Sequence, residues 1–291
     1  METPAELFRA VALLAEPPSS SHGSVARALE LPGEPDDVAY TEVFLFQLYP
    51  YASAYLGAEG MLGGEARDRV AGFFRALGLV PPAEPDHLSV LLALYANLSE
   101  REAAARDSRS SQALGSARSA LLWEHLLSWL PPYLDKLIEI APPFYRSVGE
   151  LLREALRAEA RALPPRSVLP LALREAPPLA DPRQEGSEAF LASLLAPVRS
   201  GLILTRSDLV RAAADLGLGL RAGERRYALK ALLGQDAGLV LGWLAERARE
   251  WEAIHRARND AANIARFWAD RAGSSAAVLA ELAMMIGSPD I

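Results

Sequence analysis

The run Leu121-Leu-Trp-Glu-His-Leu-Leu-Ser-Trp-Leu-Pro-Pro-Tyr-Leu134 constrains this chain more than any other stretch. Leu122, Leu126, Trp129 and Leu130 recur at helical spacing, and Leu121, His125 and Trp129 form the adjoining stripe, which predicts a helix with a wide apolar face. Pro131 and Pro132 bring no amide donor and crowd the preceding turn, so that helix has to stop before them. Inside so apolar a segment the ionisable pair Glu124-His125 needs a reason, with His125 at the flank of the packed face and Glu124 turned nearer to solvent or a cleft. A second pair, Asp86-His87, precedes Leu88, Leu91, Leu92, Tyr95 and Leu98. There the acid reads as an N-cap leading into an amphipathic helix, satisfying free amides and complementing the dipole.

Taken singly these residues have ordinary readings. Asp86 is a cap, His87 and His125 are satisfied histidines at a core edge, and Trp129 is a core aromatic.

Nearly every other periodic segment also reads as helix, and no comparable length alternates apolar and polar β-branched residues, so the expected fold class is all-α, a helical bundle with a C-terminal helical extension. Helices are expected over Pro4–Ala15, around Ala26–Leu29, over Asp36–Leu48 with Tyr40, Val43, Phe44 and Leu48 on one face, and over Ala66–Leu77 closed by Gly78. Tyr133–Ile140 and a helix opened by Pro142-Pro143 complete the bundle. Prolines at 164, 165, 170, 177, 178 and 182 read as an extended linker. The expected domains are therefore 1–163, a linker at 164–186, and 187–291. In the last of these, Thr205-Arg-Ser-Asp208 has the form of a capping box, a helix through Tyr227 and Leu233 follows, a long helix runs from Asp236 to Phe267, and Ser274 starts the final one.

With 291 residues, 51% of them hydrophobic, the chain can bury a substantial core. The absence of cysteine excludes a disulfide framework, a thiolate nucleophile and a cysteine-ligated zinc or iron–sulfur centre. The four histidines, at 22, 87, 125 and 255, have no compact ligand spacing. No GxGxxG, GxxxxGK[ST] or GxSxG string is present, so dinucleotide, nucleoside triphosphate and serine-hydrolase readings lack their usual grounds. The net charge of -7 fits a cationic partner better than nucleic acid. No charge-free apolar run long enough to span a bilayer appears and the start lacks a basic export region, so a cytoplasmic protein is expected. One competing reading, a helix-turn-helix transcription regulator, would use Arg221, Arg225, Arg226 and Lys230, but its turn Leu216-Gly-Leu-Gly-Leu220 is long and apolar and Glu224 interrupts the basic run.

The strings Tyr40-Thr-Glu-Val-Phe44, Tyr49-Pro-Tyr-Ala-Ser-Ala-Tyr55, Val70-Ala-Gly-Phe-Phe-Arg-Ala-Leu-Gly78, Glu84-Pro-Asp-His-Leu88 and Trp123-Glu-His-Leu-Leu-Ser-Trp-Leu-Pro131, in this order, resemble the TorD/DmsD/NarJ family of molybdoenzyme maturation chaperones. The likeness covers roughly residues 38 to 160. It implies a non-enzymatic cytoplasmic chaperone that recognises the twin-arginine signal peptide and the apo form of a molybdopterin oxidoreductase subunit until its cofactor is inserted. Two guanidinium groups followed by an apolar stretch call for carboxylates near a hydrophobic groove. On this reading Asp86 and Glu124 supply the acid, His87 and His125 orient it, and Trp129, Tyr40, Phe44 and Tyr55 line the groove. No cofactor is assigned to this chain, since no phosphate-cradling loop supports one. A proline-rich hinge is compatible with a homodimer formed by helix exchange, and the sequence does not decide the oligomeric state.

Overall fold

The computed structural model describes residues 4–164, 167–220, 223–258 and 262–287. Among them the regular structure is helical apart from one antiparallel bridge between Tyr51 and His87. The chain divides into two compact units, Met1–Ser53 with Leu62–Arg174, and Ala54–Met61 with Glu175–Ile291.

In the first unit, helix Pro4–Leu14 lies against Leu88–Ala104 and Pro143–Ala162, and Leu130–Ile140 lies along Pro143–Ala162. Their apolar faces meet in a core in which the Phe8 and Tyr95 rings are 4.7 Å apart and Phe44 stands edge-on to Tyr145 at 5.1 Å. The expected face of Tyr40, Val43, Phe44 and Leu48 is buried. Gly78 closes Gly64–Ala76 with φ +72°, a conformation that glycine adopts without a Cβ penalty. Pro131 and Pro132 occupy the first turn of Leu130–Ile140, where their missing amides cost no helical bond.

Two motif segments are wound as π-helices, Thr41–Gln47 and Leu121–Leu126. At their ends Leu48 N donates to Val43 O at 2.8 Å and Leu127 N to Leu122 O at 2.8 Å, each reaching back five residues instead of four. Such widened turns rarely occur without a packing or functional cause.

In the second unit, helix Ala237–Arg256 runs beside Ala262–Gly287, with Arg206–Leu216 and Arg225–Leu233 packed on the former. The capping box at Thr205 and Asp208 is formed in both directions, and Gly217 ends its helix in the left-handed region. Gly201, at φ +75°, leaves no room for a side chain, since a Cβ there would meet Ala272 Cα at 2.7 Å.

Four expectations are corrected. The cap of Leu88–Ala104 is His87, whose side chain accepts from Ser89 N, while Asp86 turns its carboxylate to Ser53 N instead. The long C-terminal helix ends at Arg256 and the last one begins at Ala262, running through Ser274 without a break. Gly273 lies within it, and a Cβ there would meet only the movable carboxylate end of Glu252. The proline-rich stretch is not extended throughout: it contains helices Leu171–Glu175 and Pro182–Glu185, and Leu173 and Ala180 are buried. Helix Ser108–Ala120, for which the sequence raised no expectation, has no fully buried residue and therefore no apolar signature to read.

Candidate functional site

Two motif strings that lie more than thirty residues apart are joined at the Tyr51–His87 bridge. Leu88 N donates to Pro50 O at 2.8 Å and Ala52 N to Asp86 O at 3.0 Å. Asp86 Oδ2 accepts from Ser53 N at 3.0 Å, and Ser53 Oγ accepts from Gly63 N at 3.0 Å. A buried carboxylate thus fastens the Tyr49–Ser53 turn to the start of the next helix. Local sequence order explains the fit: Pro50 has no donor to waste, and its carbonyl is the one used.

His87 is buried at the centre of this joint. Its Nδ1 accepts from Ser89 N at 3.2 Å and lies 2.7 Å from Ser89 Oγ, and Ser89 Oγ donates to Glu16. Glu16 Oε1 is 3.7 Å from the same nitrogen. The Tyr51 ring meets the imidazole edge-on at 4.7 Å, and its hydroxyl donates to Glu84 Oε2 at 2.8 Å. Burial lowers the pKa of His87, against the opposing pull of Glu16, Glu84 and Asp86. Burial and the bond to Glu84 raise the pKa of Tyr51. The cluster is therefore anionic at its rim: Glu84 is exposed, and the Glu16 side chain retains 46% of its surface. Both acids are bonded to hydroxyls, which leaves their charge to act on an approaching cation.

The second acid–histidine pair does different work. Glu124 Oε2 accepts from Leu171 N at 3.0 Å and so holds the start of Leu171–Glu175. His125 packs against Phe73 with the rings tilted and 4.9 Å apart, and burial, with a smaller contribution from Arg69, pushes its pKa down to about 4. Its carbonyl accepts from Trp129 Nε1 at 2.8 Å. Trp129 has no exposed surface, and Tyr40, Phe44 and Tyr55 are likewise buried. The expected groove-lining aromatics are thus core side chains in this structure. Tyr40 donates weakly to Ala15 O at 3.4 Å, and burial, then Glu16, raise its pKa to about 12. Tyr55 belongs to the second unit.

Of the expected residues, the structure joins Asp86 and His87 and keeps Tyr40 under the same Glu16 field, whereas the bonds of Glu124 and His125 lead to 171, Phe73 and Trp129. Sequence reading passed over Glu16, Tyr51, Glu84 and Ser89 as site residues. Tyr51 and Glu84 stood inside the quoted motifs and were legible there. Glu16 was not, because it follows an unrelated helix and only the tertiary fold delivers it to His87.

The basic residues of the alternative reading are engaged within the second unit. Arg225 donates to Leu204 O at 2.7 Å, while Arg226 and Lys230 both bind Glu188, at 2.7 and 2.6 Å. Arg221 lies outside the described residues. Among the described residues no group of three His, Cys, Asp or Glu side chains is placed to hold a metal ion, and no helix is long and apolar enough to cross a membrane.

The profile of the nitrate reductase delta subunit family matches residues 33–135, the part that contains both the Tyr51–His87 joint and the Leu121–Leu126 turn. Over this segment the chain is similar to that family. Two curated proteins named Chaperone protein TorD, from Vibrio vulnificus strains YJ016 and CMCP6, are each 33% identical over 110 residues, covering 35% of this chain and 50% of the relative. The chain thus spans about half the length of the curated TorD proteins it matches. The profile match falls within the chain's N-terminal half, so the second unit's Glu175–Ile291 lies outside it.

Proposed function

We propose that this chain is a cytoplasmic maturation chaperone, not an enzyme, that binds the apo catalytic subunit of a molybdopterin oxidoreductase through its twin-arginine leader and delays export until the cofactor is inserted. The observation that carries this reading is the anionic rim at His87, where Glu16 and Glu84 flank a family motif and are bonded to Ser89 and Tyr51. A guanidinium fits such a rim, since it can bond a carboxylate through two parallel N–H groups. Asp86 and His87 serve as positioning residues: one fixes the turn bearing Tyr51, and the other fixes Ser89 and through it Glu16. Tyr40, Phe44 and Trp129 act on binding only through the packing of the core, and Glu124 and His125 only through their bonds to Leu171 and Phe73. An enzymatic role finds no support, because the Ser89 hydroxyl beside His87 is buried and donates to Glu16, and no metal-binding group is found among the described residues.

Co-expression tests the reading. The full-length chain is expected to co-purify with a cofactor-free oxidoreductase subunit bearing a paired-arginine leader, and to release it once the cofactor is loaded. Removing the leader should reduce capture by about tenfold or more, the scale of losing a small set of dominant contacts. Equal capture without the leader would reject leader recognition, and no capture of either form would reject the chaperone reading.

A further inference from the structure

Two arginines of the second unit, Arg199 and Arg271, come together with no acid between them. Arg199 lies in the short helix Pro197–Ser200 and Arg271 in Ala262–Gly287. These elements touch at Gly201, where an added Cβ would stand 2.7 Å from Ala272 Cα and 2.9 Å from the Arg271 carbonyl carbon. From there both guanidiniums reach the same piece of chain: Arg199 Nε donates to Pro178 O at 3.0 Å, and Arg271 donates to Ala176 O. Residues 176 and 178 are next-but-one neighbours, no more than about 7 Å apart along the backbone, so the two forks converge on one spot.

Neither guanidinium is neutralised. Among the described residues no carboxylate pairs with either one, and Asp181, a short way beyond Pro178, is bonded to Arg183 instead. Arg271 is half-buried with its guanidinium 5.0 Å from the centre of the Phe267 ring, and burial, then the charge of Arg199, lower its pKa. Two like charges held together and partly removed from water are unfavourable unless something offsets them. Fastening a loop by its backbone does not call for charge. Gln235 does so at Gly219 with a neutral amide, accepting from Gly219 N at 2.8 Å and donating to Gly219 O at 2.7 Å. A guanidinium has five N–H donors, so a single carbonyl bond leaves most of each fork able to take an anion.

These features select the ligand. Two fixed positive charges match a dianion better than a monoanion, and a tetrahedral oxyanion can accept paired N–H bonds from two forks at once. We propose that Arg199 and Arg271 form a binding site for the phosphate group of a small molecule, either inorganic phosphate or a phosphate ester. The site lies wholly in the second unit, uses neither Glu16 nor Glu84, and does not depend on the leader reading.

Calorimetric titration of the full-length chain at constant ionic strength, with inorganic phosphate, methyl phosphate and acetate as the probes, tests it. At least one of the phosphates should bind about tenfold or more tightly than acetate, because it meets both forks with two charges. Arg199→Gln and Arg271→Gln keep an amide donor for the two carbonyls, so thermal unfolding in phosphate-free buffer should change little. Each should nonetheless weaken phosphate binding by about tenfold or more, the scale of one lost charge-assisted pair. Arg226→Gln removes the same charge from an arginine already paired with Glu188 and should leave the affinity intact. Preference for inorganic phosphate would identify the free ion as the ligand, and preference for methyl phosphate an ester. Absence of binding by both phosphates at millimolar concentration, acetate binding as tightly as phosphate, affinity retained in both Arg199→Gln and Arg271→Gln, or an equal loss in Arg226→Gln would overturn the proposal.

Discussion

At the scale of single residues the account rests on where charge is held and where it is refused. His255 illustrates refusal. It is fully buried, 5.3 Å from the Trp251 ring and 6.0 Å from that of Trp268, with Nε2 3.3 Å from Gly201 O. Burial depresses its pKa to about 4, and His125 is depressed to about 4 in the first unit. A histidine kept neutral in the fold takes up its proton more readily when unfolded. Its contribution is therefore present above the ordinary pKa of 6.5 and is lost as pH falls from about 6.5 toward 4. Chemical denaturation should show stability falling by a few kcal/mol across that window, and replacing His255 by Gln should flatten the slope. A slope unchanged in the variant would mean that His255 does not control it. Asp86 is a second case: Asp86→Ala removes the acceptor of a buried amide and should cost about 1–3 kcal/mol, measured as a shift in denaturant midpoint.

Elements show what sequence can and cannot announce. The capping box at Thr205, the glycine stop at Gly78 and the inner face of Tyr40, Val43, Phe44 and Leu48 were legible because each is a local device with a fixed spacing. The helix break after Arg256 was missed, as was the passage through Gly273, because a glycine beside a serine reads locally as a stop whether or not the helix continues. Helix Ser108–Ala120 was invisible for a related reason. It has no fully buried residue and is held by Arg118, which donates to Glu102 at 2.7 Å and to Glu159 at 2.6 Å, with Tyr95 bonded to the same Glu159. Arg118→Met should raise amide hydrogen exchange across 108–120 by about tenfold or more while leaving the Leu130–Ile140 core protected, as expected for a locally opening unit. Uniform loss of protection would contradict a local clamp. In the second unit, Gly201→Ala should cost about 1–3 kcal/mol, since the new Cβ would press on the Ala272 backbone.

On the scale of the whole molecule, the division read from the prolines and the one found in space differ in an instructive way. Composition placed the end of the first domain at residue 163, yet Leu171 is tied to Glu124 in the first unit, and Ala54–Met61 belongs to the second. Gly60, at φ +62°, abuts the backbone of Leu195 and Ala196, so this excursion is packed against residues far along the chain. No reading of periodicity reports such an exchange. A fragment ending at residue 174 should therefore expose Tyr55 and Leu56, bind a hydrophobic dye and unfold at lower temperature than the first unit does within the full chain. The claim on which the rest turns is recognition of paired arginines by Glu16 and Glu84. Calorimetric titration of the full-length chain with a synthetic paired-arginine leader peptide tests it most directly. Wild type should bind it more tightly than the paired-lysine version, and Glu84→Gln should remove most of that preference at a cost of about 1 kcal/mol or more. Equal affinity for the two peptides, or a preference untouched in Glu84→Gln, would contradict the account.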